Sequence, residues 1–350
     1  MMKGIWFDDI HSYSDLNLVL SKVDIPPATP RTNYVDIPGG DGTVDLTEAL
    51  GGLKYKDRKG SITFSVFPTD DFEEKKRQVS NLLNGKRFKI RLDKDPDYYW
   101  LGRCEFNKYA SKKNLHQITM NVNVAPYKFK DEPTRVFVPF CGKNLLDVSE
   151  SNQIAQVYGS VEYITNGVRK SGQYFVGFPV AVNAHTTYYF SVNIKRLTSA
   201  SVPTSGGRIA IYDKNIRTIV TSYPSTEGKA VFYFNSGNHT ELSVLFYSDS
   251  DQNQGVYEFT NAQLEAIRAT EYEPYTPITD PLEITLTNGR KPVIPTIHCT
   301  GEATIVADGT EYTVGAGTHK FLGFQLTEGE KTVTVSGTGA VTFVYQEGDL

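Results

Sequence analysis

The sequence has few of the residues that mark disulfide-stabilised or metal-binding proteins. Its 350 residues include three cysteines, Cys104, Cys141 and Cys299, and these lie far apart. An odd number at such spacing fits neither a disulfide framework nor a CxxC metal site. The six histidines are also scattered, so we expect them to be surface or cross-strand residues rather than metal ligands. The sequence therefore predicts reduced thiols and no metal or other cofactor.

Long apolar runs and an excess of basic charge are missing as well. No segment approaches the roughly 20 apolar residues of a membrane span. The first residues turn acidic at Asp8 and Asp9, without the apolar stretch of a signal peptide. With 36 Lys+Arg against 40 Asp+Glu, the net charge of −4 does not indicate nucleic-acid binding. We expect a chain made in the cytosol that neither inserts into a membrane nor contacts nucleic acid.

Catalytic motifs are also lacking. There is no Walker loop, dinucleotide glycine fingerprint, Gly-x-Ser-x-Gly elbow or His-Glu-x-x-His motif. Carboxylates are plentiful, but no two are marked as a glycosidase pair. The segment Asp249–Gly255 starts like a calcium loop, but Gln254 and Thr260 replace the glycine and the bidentate glutamate that such a loop needs. We interpret this segment as a polar turn and expect no enzyme activity.

The residues that are abundant favour a β protein with one helix. Tyr and Phe are frequent, and 29 Gly and 17 Pro supply turns. In the first segment, one helix is predicted over Asp70–Asn84, with Asp70 as its cap and Gly85 ending it. A tight turn is expected at Pro38–Gly42. The predicted strands of this segment are Asn17–Val23, Ser61–Phe67, Lys86–Leu92, Tyr98–Ala110 and His116–Val124.

The net charge and the pattern of predicted secondary structure both change near residue 130. Residues 1–130 hold 21 Lys+Arg and 17 Asp+Glu, whereas residues 131–350 hold 15 and 23. Strand patterns without a helix fill 141–277, and short Thr-, Val- and Gly-rich strands, including His319–Gln325, fill the last seventy residues. The strand at Arg135–Phe140 has no local partner. We therefore predict three domains: 1–130, then 131–140 together with 278–350, and an inserted module at 141–277.

The inserted module is rich in aromatic residues, and alternation separates its core from its surface. The expected inward set is Tyr188, Phe190, Val192, Ile194, Ile209, Ile211, Phe232, Phe234, Leu242, Val244 and Phe246. Outward rings can stack on the apolar faces of sugars, while neighbouring polar groups bind the hydroxyls. The candidate carbohydrate-binding residues are Tyr158, Tyr189, Tyr212, Tyr233 and Tyr247.

Several motifs in order resemble a known family. They are a short strand at Lys3–Phe7, the Pro38–Gly42 turn, the segment Tyr55–Phe64, the capped helix ending at Leu82–Lys86, and the segment Val124–Lys128. Together they resemble the distal tail proteins of long non-contractile-tailed phages, especially those of Gram-positive hosts. Leu286–Pro292 and Pro295–Gly301 look like that family's galectin-like second domain. Asn144–Leu146 and Ala262–Tyr275 look like the borders of a jelly-roll carbohydrate-binding module, as in longer, evolved distal tail proteins.

The resemblance implies a mostly β fold: an N-terminal β-sandwich ring domain with one helix, a galectin-like C-terminal β-sandwich, and an inserted jelly roll. It also implies a structural role at the virion tail tip. A hexameric ring, assembled in the host cytoplasm, would join the tail tube protein to a tail-tip protein or tail-associated lysin hub. The module would bind host cell-wall polysaccharide. The alternative is a stand-alone non-catalytic carbohydrate-binding or adhesion protein, or a non-catalytic part of a glycoside hydrolase, and an enzyme comes third.

Overall fold

The protein is described by a computed structural model that covers residues 4–49, 51–67, 71–112, 115–154, 159–172, 174–198, 207–224, 227–249, 255–266 and 268–350. Within these ranges the fold is mostly β, as predicted. The α-helix α1 spans Phe72–Leu83, and a 3-10 helix spans Glu150–Asn152. The remaining regular elements of the described residues are strands.

The first segment forms one large antiparallel sheet and a separate small hairpin. Its strands are β1 Ile5–Phe7, β2 Ile10–His11, β3 Leu18–Asp24, β4 Tyr34–Asp36, β5 Thr43–Asp45, β6 Arg58–Val66, β7 Arg87–Leu92, β8 Asp95–Lys112 and β9 Leu115–Lys130. The sheet order is β2-β1-β7-β8-β9-β6-β3, and among the described strands β4 pairs with β5 alone. The sequence therefore located most strands of this sheet but not the hairpin strands.

The large sheet bends around its own core. The rings of Phe7 on β1 and Phe64 on β6 lie 6.4 Å apart, although three strands separate β1 from β6 in the sheet. Strand β8 has bulges at Trp100/Gly102 and Phe106/Lys108, and bulges increase local bending and twist. At Gly102 an added Cβ would lie 2.5 Å from Val124 Cγ1, so the close approach of β8 to β9 requires glycine there.

The helix closes one side of this core. Val79 and Leu83 are fully buried against the sheet, and Phe72 packs at the rim of the same cluster. The cap is Asp71, whose carboxylate accepts hydrogen bonds from Glu73 N and Glu74 N. The predicted cap, Asp70, lies outside the described residues. The observed cap is one residue later than the predicted one. Gly85 follows with a φ of +73°, the left-handed conformation that ends many helices.

In the described part of residues 131–277, one strand pairs with the C-terminal strands and nine form a sandwich. The strands are β10 Thr134–Pro139, β11 Ser160–Ile164, β12 Gly167–Ser171, β13 Tyr174–Ala181, β14 Thr187–Arg196, β15 Arg208–Asp213, β16 Ile219–Pro224, β17 Gly228–Asn235, β18 Glu241–Asp249 and β19 Val256–Ala266. One sheet has the order β11-β12-β19-β14-β17, and the other has the order β13-β18-β15-β16. Both sheets contribute side chains to one shared core.

The residues predicted to face inward line this core. Ten of the eleven are buried, and Phe232 packs against the cluster as a partly buried residue. The alternation of apolar and polar residues predicts the core correctly here, because each strand has one face against the opposite sheet.

The last strands form a second, smaller sandwich with β10. They are β20 Leu282–Asn288, β21 Thr296–Cys299, β22 Ala303–Ala307, β23 Thr310–Val314, β24 Gly317–His319, β25 Gly329–Gly337, β26 Ala340–Tyr345 and β27 Gly348–Asp349. The sheets are β10-β26-β21-β24 and β20-β25-β22-β23, while β27 pairs with β9 in the large sheet. The predicted strand His319–Gln325 is wrong: the segment turns, with Phe324 N bonded to Phe321 O, so that Phe324 enters the core.

The two chain crossings between the sandwiches lie side by side. Cys141 forms an isolated antiparallel bridge with Pro277. Gly142 N donates to Thr276 O at 2.8 Å, and Ile278 N donates to Phe140 O at 3.0 Å. The two ends of segment 142–276 therefore lie next to each other.

Candidate functional site

The first candidate site is a pair of tyrosines on the five-stranded sheet of the module. Tyr189 on β14 lies directly opposite Tyr233 on the edge strand β17. Their ring centroids are 6.0 Å apart and the planes meet at 42°. The neighbouring residues Tyr188, Phe232 and Phe234 point the other way and contribute to the core. Tyr233 is 72% exposed, so its ring is free to contact a ligand.

Polar and small side chains surround this pair, which we call the tyrosine platform (Tyr189, Tyr233 and their same-face neighbours). Thr187 and Asn235 face each other beside the pair, and Ser191 and Val231 do so on its other side. Hydroxyl and amide groups next to an aromatic ring are the groups that bind sugar hydroxyls. Thr187 and Asn235 are exposed, whereas Ser191 is buried and Val231 is apolar. The platform therefore offers one stacking surface with hydrogen-bonding groups at one end.

The next strand limits the width of the platform. Glu265 on β19 lies opposite Tyr189 but is buried, because the segment after the strand covers it. Thr270 N donates to Glu265 Oε2 at 2.9 Å, and Lys143 Nζ lies 3.7 Å from Glu265 Oε1. A ligand can therefore cover β14 and β17 but not the same face of β19 beside them.

The other tyrosine candidates are not brought to this platform. Tyr212 and Tyr247 lie on β15 and β18 of the opposite sheet, on the far side of the sandwich. The expectation that Tyr247 faces solvent is wrong: its side chain is 8% exposed. Tyr158 lies outside the described residues.

Tyr247 is covered because the outer face of the four-stranded sheet carries a second small cluster. Phe175, Ala210, Leu245 and Tyr247 form it, and Tyr212 packs against it half-buried. The Arg208 guanidinium carbon lies 4.3 Å from the centroid of the Tyr247 ring. Burial is the main reason that the pKa of Tyr247 rises to about 12. This arrangement is structural packing with a cation–π contact, not an open sugar site.

The second candidate surface is the β4–β5 hairpin, which we call the arm (residues 33–49). Tyr34 pairs with Asp45, Val35 with Val44, and Asp36 with Thr43. The turn uses Gly39 and Gly42 at φ of +76° and +83°, as the Pro38–Gly42 sequence predicted. Every residue of its two strands is exposed.

The arm holds a cluster of apolar side chains that nothing in the described chain covers. Val35, Ile37, Val44 and Leu46 are between 40% and 46% exposed. They share one face of the ribbon, because alternate residues of a strand face the same side. This surface was not predicted from the sequence, although the alternation of apolar residues on both sides of the turn is the usual sign of a half-buried hairpin.

The cysteine thiols are not activated as nucleophiles. All three cysteines are free, and burial raises the pKa of Cys104 to about 12 and that of Cys141 to about 11. These thiols are therefore protonated near neutral pH. No cluster of three or more His, Cys, Asp or Glu side chains suited to a metal occurs in the part of the chain that the structure describes. No described helix is long and apolar enough to span a membrane.

Comparisons with known proteins give structural matches only. No family model matches the sequence, and no curated protein matches it. A crystal structure of the SPP1 Dit protein (gp 19.1), titled a paradigm of the hub adsorption apparatus in Gram-positive infecting phages, matches over 100% of both chains with 13% identity and a TM-score of 0.39.

Two further solved structures match more weakly. A structure titled the triple jelly roll fold and turret assembly in an archaeal virus covers 93% of this chain and 90% of its own, with 11% identity and a TM-score of 0.19. The M60 catalytic domain with two CBM51 domains of Clostridium perfringens ZmpB covers 92% of this chain and 55% of its own, with 7% identity and a TM-score of 0.24. At these values the matches do not establish a family for the chain.

Proposed function

We propose that this chain is a structural protein of a phage tail tip, which assembles into a ring and carries a glycan-binding module. The single observation that carries the proposal is the arm: an exposed two-stranded ribbon with one aliphatic face. A two-stranded hairpin is marginally stable by itself in water, and a partner surface that covers its aliphatic face would stabilise it. The ordered motifs of the first segment, which resemble distal tail proteins, suggest that the partner is another copy.

The proposed assembly is a homohexameric ring formed by residues 1–130, joining the tail tube protein to a tail-tip protein or tail-associated lysin hub. The division into 1–130, 131–140 with 278–350, and 141–277 belongs to the same proposal. It is supported by the separate hydrophobic clusters of the three parts and by the paired crossings at Cys141 and Pro277. The role is structural, so no catalytic residue is assigned.

The module's proposed role is to bind host cell-surface polysaccharide without cleaving it. The tyrosine platform supports this role, and we narrow the sequence-based candidates to Tyr189 and Tyr233. One stacked ring contributes roughly 0.5–1.5 kcal/mol, so a single site is expected to bind weakly. Six copies on a ring would supply avidity for a repetitive wall polymer.

Two measurements test the proposal. Electron microscopy and light scattering of the full chain should show rings with a central pore. Binding of the fluorescently labelled chain to host cells or purified wall polysaccharide should occur without release of reducing sugar. A chain that stays monomeric over a wide concentration range contradicts the ring, and release of reducing sugar contradicts the non-catalytic role.

A second candidate function is a stand-alone non-catalytic carbohydrate-binding or adhesion protein. The observation that favours it is the tyrosine platform, which needs no ring to bind a sugar. The two functions differ in assembly: the adhesion protein binds glycan as a monomer, whereas the tail protein does so as an oligomer. Sedimentation of the glycan-bound chain separates them.

A further inference from the structure

The arm has two chemically different faces. Its aliphatic face consists of Val35, Ile37, Val44 and Leu46, and the opposite face carries Tyr34, Asp36 and Asp45. The arm contains four acidic residues, the other two being Asp41 and Glu48, and no basic residue. All 21 basic residues of the first 130 lie outside the arm, against 13 acidic ones. The rest of the first segment is therefore electrostatically complementary to the arm.

The arm leaves the body at one end of the large sheet. At its base, Pro30 forms an isolated bridge with Tyr55, and the ring of Tyr55 lies 5.8 Å from that of Tyr127. Strand β6 starts just after the arm, with Arg58 opposite Val124. These contacts fix the base of the arm at the Arg58 end of β6.

A partly exposed aromatic surface lies at the opposite end of the same sheet. We call it the ledge; it consists of Phe72, Lys76, Phe106, Lys108 and Tyr109. The Phe106 and Tyr109 rings stack at 5.6 Å, and Lys76 Nζ lies 5.2 Å from the Phe72 ring centroid and 5.3 Å from that of Tyr109. Tyr109 is 39% exposed, and Lys108 beside it is exposed.

The arm and the ledge are far apart in one copy. The Phe72 ring stacks on His116 at 4.6 Å, and His116 pairs with Val66, the last residue of β6. The nine residues of β6 therefore separate the base of the arm from the ledge. At about 3.3 Å per residue this is roughly 26 Å.

We propose that the aliphatic face of the arm of one copy docks on the ledge of a second copy. Apolar side chains of the arm would cover the aromatic rings. Asp41 in the turn and Glu48 at the end of the arm, the two carboxylates that are not on the opposite face, would supply the negative charge near Lys76 and Lys108. Because the two surfaces differ and lie at opposite ends of the sheet, the contact is head-to-tail, and such a contact generates a ring when its rotation closes. This inference rests on the proposed self-assembly and names the surfaces that produce it.

The test uses two variants and one matched control, each of the full chain. The arm variant is Val35→Ser with Val44→Ser, and the ledge variant is Lys108→Glu with Tyr109→Ser. The control is Lys320→Glu with Leu322→Ser, which makes the same types of change at exposed positions of the C-terminal sandwich, where Leu322 is 86% exposed. Circular dichroism with thermal melting checks that all three remain folded.

Analytical ultracentrifugation then measures assembly. The wild type and the control should form the same oligomer, while the arm and ledge variants should each associate roughly tenfold or more weakly. A mixture of the two variants leaves one intact arm and one intact ledge per pair. It should therefore give a 1:1 dimer and nothing larger, and this dimer should weaken as salt is raised.

The outcomes separate this inference from the proposed function. Monomeric wild type contradicts the ring itself and, with it, the contact. Wild-type-like assembly of the ledge variant overturns the assigned surface while leaving self-assembly intact. Wild-type-like assembly of the arm variant means that another protein covers the arm, and absence of the dimer in the mixture rules out the head-to-tail contact.

Discussion

Aromatic residues at the outward positions of the module differ in what covers them. Tyr233 lies on an edge strand and is largely exposed, whereas Tyr247 on β18 forms a cluster with Phe175, against which Tyr212 packs. Alternation predicts which face of a strand a side chain occupies, and it placed both residues correctly away from the main core. It does not predict whether loops or neighbouring side chains cover the outer face. That requires the tertiary structure.

Replacing Tyr233 by Ala should weaken glycan binding without affecting the fold. Its ring is exposed, so the loss is that of one stacking contact, about 2- to 10-fold in Kd. The measurement is binding of the fluorescently labelled chain to purified wall polysaccharide. Tyr233→Phe keeps the ring and should bind within about twofold of the wild type, because stacking uses the face of the ring.

Tyr247→Ala should instead destabilise the module. The substitution removes a buried ring, breaks the contact with Arg208 and leaves a cavity beside Phe175. Large-to-small changes of buried aromatic residues cost about 3–5 kcal/mol. Thermal unfolding should show a clear fall in Tm. If Tm is unchanged and glycan binding is lost, Tyr247 is a binding residue rather than a structural one.

Asp93 should make the stability of the first segment depend on acidic pH. Burial favours a higher pKa, but hydrogen bonds from Gly4 N, His11 and Trp6 Nε1 outweigh it and lower the pKa of Asp93 below its usual value. A lowered folded-state pKa contributes stability above the unfolded-state value of about 3.9, and this stability is lost as pH falls through the folded-state pKa. Asp93→Asn should therefore have a lower Tm than the wild type at pH 7.

The difference in Tm should shrink as the pH is lowered below about 4, where the wild-type carboxyl also becomes neutral. Asp9→Asn, at an exposed turn position of the same segment, is the matched control. Its Tm should equal that of the wild type at every pH. A difference that is constant with pH would mean that Asp93 acts through shape and hydrogen bonding rather than through its charge.

Among the elements, the start of the module depends on one buried amide. Asn144 Nδ2 donates to Ala262 O and Glu273 O, both at 3.1 Å, and its Oδ1 accepts from Leu146 N at 3.0 Å and Leu264 N at 3.1 Å. These bonds tie the first residues of the module to its last strand, β19. Buried backbone groups that lose their partners each cost about 1–3 kcal/mol.

Asn144→Ala should therefore destabilise the module by about 3 kcal/mol or more. Chemical denaturation followed by tyrosine fluorescence measures the change. Asn81→Ala on the exposed face of α1 is the control and should stay within about 0.5 kcal/mol of the wild type. Equal effects of the two substitutions would show that the Asn144 bonds add nothing beyond a surface amide.

The sequence predicted elements best where a regular pattern coincides with a buried face. Arg208–Asp213 and Val256–Ala266 match the observed strands, and the helix ends where Gly85 allows. It failed at His319–Gln325, because apolar residues in a turn can fill a core as well as those in a strand. The arm strands were missed although apolar residues alternate on both sides of the Pro38–Gly42 turn, because the turn was predicted without the two short strands that it joins.

At the scale of the whole molecule, pairing between distant segments connects the parts. Strand β10 pairs with β26 along its whole length, so the residues before the module depend on residues near the C-terminal end. Strand β27 pairs with β9, and Lys130 N donates to Glu347 O at 3.1 Å. The missing local partner of Arg135–Phe140 was the sequence signal for this long-range pairing. The charge distribution indicated the boundary near residue 130, but only the tertiary structure shows which strand edges pair.

We expect that the module can be removed as a unit. Replacing 142–276 with a short Gly/Ser linker should leave the remaining chain folded, because Cys141 and Pro277 already lie side by side. The core of the smaller sandwich takes its buried residues from β10 and from residues after 280, so the deletion opens no cavity there. The shortened chain should unfold cooperatively, keep the oligomeric state of the full chain and lose glycan binding.

A matched deletion with different ends tests the boundary itself. Replacing 160–266 with the same linker removes most of the sandwich but retains Asn144 and Leu146, whose partners on β19 are lost. This chain should be poorly soluble, because Leu146 and the neighbouring apolar residues Leu145 and Val148 lose the core that covers them. If both deletions are equally soluble, the paired crossings do not define the limits of an independent unit. If only the 142–276 deletion aggregates, the remainder depends on the module for its stability, and the insertion hypothesis is wrong.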